Sequence, residues 1–187
     1  MLETLVPPGQ KVVPRLRRLD LGVIPRVALE KWDLRITGAV ERPQRWTWAE
    51  FTALPQVRIT ADFHCVTGWS RLGNVWEGVS FREIAARAGA KRTAVSAMLH
   101  CGEGYTTSLP LEVLLDEDVL LAHRLDGKPL PEEHGGPLRV IIPKRYAWKS
   151  AKWVRQIDFL EKHELGYWEV RGYSDTADPN TEDRYSL

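Results

Sequence analysis

With 187 residues, 43% of them apolar and 27% charged, the chain has the length and composition of one soluble domain with a sizeable core. A formal net charge of +1 leaves no overall field for nucleic acid or an anionic membrane, and no run approaches the roughly 18 apolar residues of a spanning helix. Two cysteines, about three dozen positions apart and without a CxxC pair, make neither a disulfide framework nor a zinc knuckle and suit a reducing compartment.

Residues 1–30 start with an apolar run broken by Pro7 and Pro8 and carry the basic residues Arg15, Arg17 and Arg18. They predict an extended arm wrapped on a core, with neither a secretory nor a twin-arginine leader, and hence a cytoplasmic protein. A core spans 31–161. Its first strand is Trp32 to Val40, where apolar and polar residues alternate. Thr47-Trp-Ala-Glu50 and Ser80-Phe-Arg-Glu83 fit the S/T-x-x-E capping box, so helices are predicted over Thr47 to Leu54 and Ser80 to Ala88, the second stopped by Gly89. Val57 to Cys65 and Thr93 to Cys101 read as strands, each ending in His-Cys. A short helix follows, with Ser108 as cap and Pro110 in its first turn. A hairpin turns at Asp126-Gly127, and Gly135 to Pro143 and Ala151 to Lys162 supply two more strands. The aperiodic segment 162–187 predicts a strap packed on the core. Short strands outnumber helices and alternate with them irregularly, which indicates an α+β fold with mixed sheets and short peripheral helices. The eight tryptophans suit core filling as well as the wall of a ligand cleft.

Two stretches carry chemistry. Cys65 stands at a strand end before Val66-Thr67-Gly68, where a rigid sheet presents groups to a loop. Four uses remain open for it: a buried structural thiol, a nucleophile, a zinc ligand together with His64, His100 and Cys101, or one soft ligand to a metal carried by a cofactor. As a nucleophile it lacks His64 as a base, because neighbours on a strand face opposite ways. The second stretch runs from Asp126 to Trp153. There His134 precedes Gly135-Gly136-Pro137, Arg139 starts a buried strand, and Lys144, Arg145, Lys149 and Lys152 follow with Tyr146 and Trp148. Open glycine backbone and clustered cations suit a phosphate attached to a flat heterocycle, and equally suit a solvated basic loop.

Taken in order, Cys65-Val-x-x-Trp69-Ser70, Gly104-Tyr-Thr-Thr-Ser-Leu-Pro, Asp126-Gly-Lys-Pro-Leu-Pro, His134-Gly-Gly-Pro-Leu-Arg139 and Pro143-x-x-Tyr-x-x-Lys149-Ser-x-Lys152-Trp resemble the molybdopterin-binding core of the sulfite oxidase family. The likeness is strongest to the bacterial branch that includes the catalytic subunit of periplasmic methionine sulfoxide reductase. The resemblance implies a sulfite-oxidase-type α+β core carrying molybdenum on one pterin dithiolene, with Cys65 as thiolate ligand to the metal. It further implies that His134 and Arg139 contact the pterin phosphate or ring, that Ser150, Ala151 and Lys152 cradle its other side, and that Cys101 is structural. His64, Trp69 and Arg71 become candidates for a substrate pocket, because the arginines that follow the cysteine sooner in sulfite enzymes are absent. Neither a cytochrome-type haem module nor an immunoglobulin-like dimerisation domain is matched. The implied activity is two-electron oxygen-atom transfer on a small substrate, an S-oxide, N-oxide or oxyanion, with electrons passed to or from a separate haem or flavin protein. A non-catalytic molybdopterin carrier and a thiol hydrolase using Cys65 with His100 or His134 are the rival expectations.

Overall fold

The computed structural model describes residues 6–186; the first five residues of the predicted arm and the last residue of the predicted strap lie outside them. Eleven strands and three short α-helices alternate along the described chain: β1 (Lys11–Val12), β2 (Asp33–Gly38), β3 (Gln44–Thr47), α1 (Trp48–Thr52), β4 (Val57–Cys65), β5 (Trp69–Ser80), α2 (Phe81–Ala88), β6 (Ser96–Cys101), β7 (Thr106–Pro110), α3 (Leu111–Leu114), β8 (Leu120–Leu125), β9 (Lys128–Pro129), β10 (Arg139–Ile141) and β11 (Val154–Leu160). They form a sheet in the order β1-β5-β8-β10, with β4 also on β5 and β9 on β8, and a second sheet in the order β3-β2-β11-β6-β7. Both sheets are mixed, because β1 runs parallel to β5 and β11 parallel to β2 while the other pairs are antiparallel. The architecture is α+β.

Strand alternation explains why the first sheet is covered on both faces. Leu121, Val140 and Ile142 join the main core with Leu34, Leu99, Ile157 and Phe159 of the second sheet. Their neighbours Leu120, Ala122 and Ile141 point the other way, into a smaller cluster with Phe63, Cys65, Trp69 and Trp76. Cys65 therefore belongs to the outer face of the first sheet, away from the interface between the sheets.

Local chemistry sets the ends of the elements. Thr47 and Glu50 complete a capping box on α1, the Thr47 amide donating to Glu50 Oε2 at 2.8 Å and the Glu50 amide to Thr47 Oγ1 at 3.4 Å. Only half of the second box forms. Ser80 Oγ accepts from the Glu83 amide, but the Glu83 carboxylate is drawn to Arg87 Nε at 2.6 Å, one turn along α2. Gly89 ends α2 with φ of 64°, the left-handed conformation that glycine takes without strain. Asp126 and Gly127, both at positive φ, make the turn between β8 and β9. Ser108 corrects the sequence reading. It lies inside β7, its hydroxyl donates to the Glu164 carbonyl, and Pro110 takes the cap position of α3. Pairing of β7 with β6 overrides the local cap signal there. The strand predicted over Gly135 to Pro143 is only β10, Arg139–Ile141.

Candidate active site

Cys65 ends β4, and Val66-Thr67-Gly68 turn the chain back so that Trp69, its partner in register, begins β5. The Gly68 amide donates to the Cys65 carbonyl at 3.0 Å, and Gly68 has φ of 88°. On the outer face the thiol is 3% exposed, with Thr67 Oγ1 at 3.2 Å from its sulfur. Burial pushes the Cys65 thiol up, opposed by the Thr67 contact and by the charges of Arg17 and Arg184. The residue faces a cavity of about 250 Å³.

Arg139, first residue of β10, lines the same cavity. It is 4% exposed, and its guanidinium donates from Nη1 to the His134 carbonyl at 2.8 Å and from Nη2 to the Ser150 carbonyl at 2.6 Å. Nε is buried without a partner. The guanidinium lies 4.9 Å from the Phe63 ring and 5.8 Å from the Trp76 ring. Burial draws its pKa down to about 9, which leaves it charged at neutral pH. The loop after β10 folds back on that strand: the Ile142 amide donates to Ser150 Oγ at 2.9 Å and the Val140 amide to the Ala151 carbonyl at 3.0 Å. Lys152 follows, its Nζ bonded to the Leu19 and Glu133 carbonyls at 2.6 and 3.1 Å. Burial, with repulsion from Arg139, lowers the Lys152 ammonium to about 8. Gly135 is needed between these cations. A Cβ there would meet Lys152 Cγ at 2.9 Å and Arg139 Cβ at 3.1 Å, and its φ is 108°.

Of the residues singled out in the sequence, Cys65, Trp69, His134, Arg139, Ser150, Ala151 and Lys152 all line this one cavity. His64 and Arg71 are not among its lining residues. His64 turns to the other face of β4, where Nδ1 lies 2.7 Å from Ser70 Oγ, and Arg71 is held by Asp126 Oδ2 and Asn74 Oδ1, each at 2.5 Å. The four-residue zinc set does not assemble, because β4 and β6 belong to different sheets, and among the described residues no three His, Cys, Asp or Glu side chains converge as a metal site. Burial also raises the Cys101 thiol. Sequence reading missed two walls. Leu16, Arg17 and Leu19 come from the arm, and Trp168 and Tyr173 from the segment after β11. Neither stretch has a period that would assign it to a face.

Residues 21–168 match the family described as the oxidoreductase molybdopterin binding domain. The chain belongs to this family of molybdopterin-dependent, sulfite oxidase-like oxidoreductases. It is 43% identical to the uncharacterized oxidoreductase YuiH of Bacillus subtilis over 97% of this chain and 92% of the relative. Identity is 32% to the putative protein-methionine-sulfoxide reductase subunit YedZ1 of Azospira oryzae, across 75% of this chain and 53% of that protein. Rice NADH nitrate reductase 1 is 30% identical across 73% of this chain, which spans only 18% of that enzyme. The sulfane dehydrogenase SoxCD of Paracoccus pantotrophus shares the fold, with a TM-score of 0.70, 22% identity, and coverage of 80% of this chain and 42% of that one.

The cavity suits a molybdopterin-type cofactor on its own chemistry. A buried thiol offers a soft ligand, and a buried guanidinium with an unpartnered Nε offers charge and a donor to an anion. Lys152 adds a second cation, and the Phe63, Trp69 and Trp148 rings that line the cavity supply flat apolar wall.

Proposed function

We propose that this chain catalyses two-electron oxygen-atom transfer on a small S-oxide, N-oxide or oxyanion, with molybdenum on one pterin dithiolene and Cys65 as the protein's thiolate ligand. One observation carries the reading: the thiol of β4 and the cations Arg139 and Lys152, remote in sequence, line a single cavity. The names of the relatives point to sulfur and nitrogen substrates and to both reduction and oxidation. Electrons pass to or from a separate haem or flavin protein. No helix among the described residues is long and apolar enough to cross a membrane. The setting that goes with two free thiols is the cytoplasm.

When bound, the cofactor supplies two-electron chemistry between Mo(VI) and Mo(IV), with oxygen exchanged with water. The chain's residues hold and shield it. Cys65, whose pKa is raised by burial, would hold the metal as its thiolate, with the Thr67 hydroxyl 3.2 Å away and placed to donate to the sulfur. Arg139 and Lys152 would supply positive charge to the cofactor's anionic end. Burial lowers the His134 pKa, so its ring is neutral at pH 7 and can both donate and accept. Phe63, Trp69 and Trp76 keep water from the outer face of the sheet around the sulfur.

Metal analysis of the purified protein, with absorption spectra before and after dithionite, tests the cofactor. Cys65→Ser tests the ligand: turnover should fall at least about 100-fold while pterin content stays near that of the wild type. Unchanged turnover would refute the ligand assignment.

A further inference from the structure

The segment after β11 contributes Trp168 and Tyr173 to the cavity, and main-chain bonds tie it at two points, the Tyr167 amide donating to the Thr106 carbonyl and the Tyr146 amide to the Ala177 carbonyl, each at 2.8 Å. Its regular structure is a single turn, Glu169–Arg171, and its aliphatic residues Leu165 and Val170 are 49% and 62% exposed. Between these two ties a buried cation adds a third. Lys149, immediately before Ser150, Ala151 and Lys152, is fully buried, with Nζ 2.7 Å from Glu169 Oε1 and 3.1 Å from Asp175 Oδ1. It also donates to the Ser108 carbonyl of β7 at 2.9 Å. The Glu169 side chain is as buried as the lysine, and the same oxygen accepts from Thr107 Oγ1 at 2.7 Å and Trp148 Nε1 at 3.3 Å. His163 Nε2 donates to Asp175 Oδ2 at 2.8 Å. Glu169 and Asp175 thus bracket Tyr173, whose ring meets Trp148 of the Lys149 loop edge-on at 5.3 Å. Buried ion pairs are costly, and one of their attested uses is to fix a single arrangement.

We propose that Lys149 is a positioning residue: held by Glu169 and Asp175, its ammonium locks the 163–175 strap onto the 146–153 loop and so keeps Trp168 and Tyr173 in the cavity wall. Only the expected effect on cofactor affinity rests on the molybdopterin reading. Lys149→Met alone strands two carboxylates, so the deciding variant is Lys149→Met with Glu169→Gln, which removes the attraction and keeps an acceptor for Thr107. Hydrogen exchange on the cofactor-free chain should show amides 166–175 exchanging at least about tenfold faster, with β2 and β11 unchanged. The molybdopterin dissociation constant should rise by about tenfold or more. Glu169→Gln alone, which leaves Asp175 as counter-charge, should shift both readouts the same way by less. Strap exchange at the wild-type rate in either folded variant would overturn the lock. Failure of the wild-type chain to take up molybdopterin would instead overturn the cofactor reading, and the exchange measurement decides the lock without it.

Discussion

Arg139 is buried beside aromatic rings, bonded to two carbonyls, with its Nε left without a partner. Such a group costs stability unless something anionic meets it, and Arg139 lines the cavity. Lysine at this position keeps the charge and loses the planar fork that serves His134, Ser150 and a ligand together. Arg139→Lys should therefore leave the fold intact by circular dichroism and lower molybdopterin affinity about 10- to 100-fold, measured by titration of the cofactor-free protein. Arg139 was legible in the sequence because a local pattern, Gly-Gly-Pro before a buried strand, announces it. Arg17 was read only as part of a basic run, and its place beside the thiol depends on contacts that no local pattern encodes.

At the level of elements, β2 is joined to both neighbours through one carboxylate. Asp33 accepts from Arg45 of β3 at 2.5 Å and from Arg155 of β11 at 3.0 Å. Burial alone would raise its pKa, but these hydrogen bonds and the charge of Arg35 prevail and hold it at about 2, below the ordinary 3.8. A depressed carboxylate pKa stabilises the fold above the unfolded value and loses that contribution as pH falls through the folded one. With exposed arginine partners the contribution is discounted to about 1 to 2 kcal/mol. Asp33→Asn should cost that much in urea unfolding at pH 7, and the gap from wild type should close as pH drops from 3.8 to about 2. The elements themselves were largely legible where their signals are local, as at the Thr47 cap, the Gly89 stop and the Asp126-Gly127 turn. They were misread where pairing decides. Ser108 has the chemistry of a cap but is claimed by a ladder with β6, and Glu83 has two partners within reach and takes Arg87.

Across the whole molecule, the outer face of the first sheet, the loop after β10, the arm and the strap meet around one cavity. A ligand that binds only this assembled state stabilises it by mass action, about 2.7 kcal/mol at 100 times its dissociation constant. For a chain of this size that corresponds to roughly 5 to 10 °C in the thermal midpoint. Scanning calorimetry of loaded and cofactor-free protein should show this difference, and stripping the cofactor should abolish it. The sheet side of the site was readable in the sequence and the covering side was not, for a physical reason. The bond from Lys152 to the Leu19 carbonyl joins positions 133 residues apart through a main-chain atom, so no side-chain pattern records it.

That closure has a consequence for how the protein is made. The ribosome delivers residues 168 and 173 after every other part of the cavity wall. A nascent chain halted before them already has Cys65, Arg139 and Lys152 but an open side. The wall around Cys65 is thus closed only after residue 173 has been made.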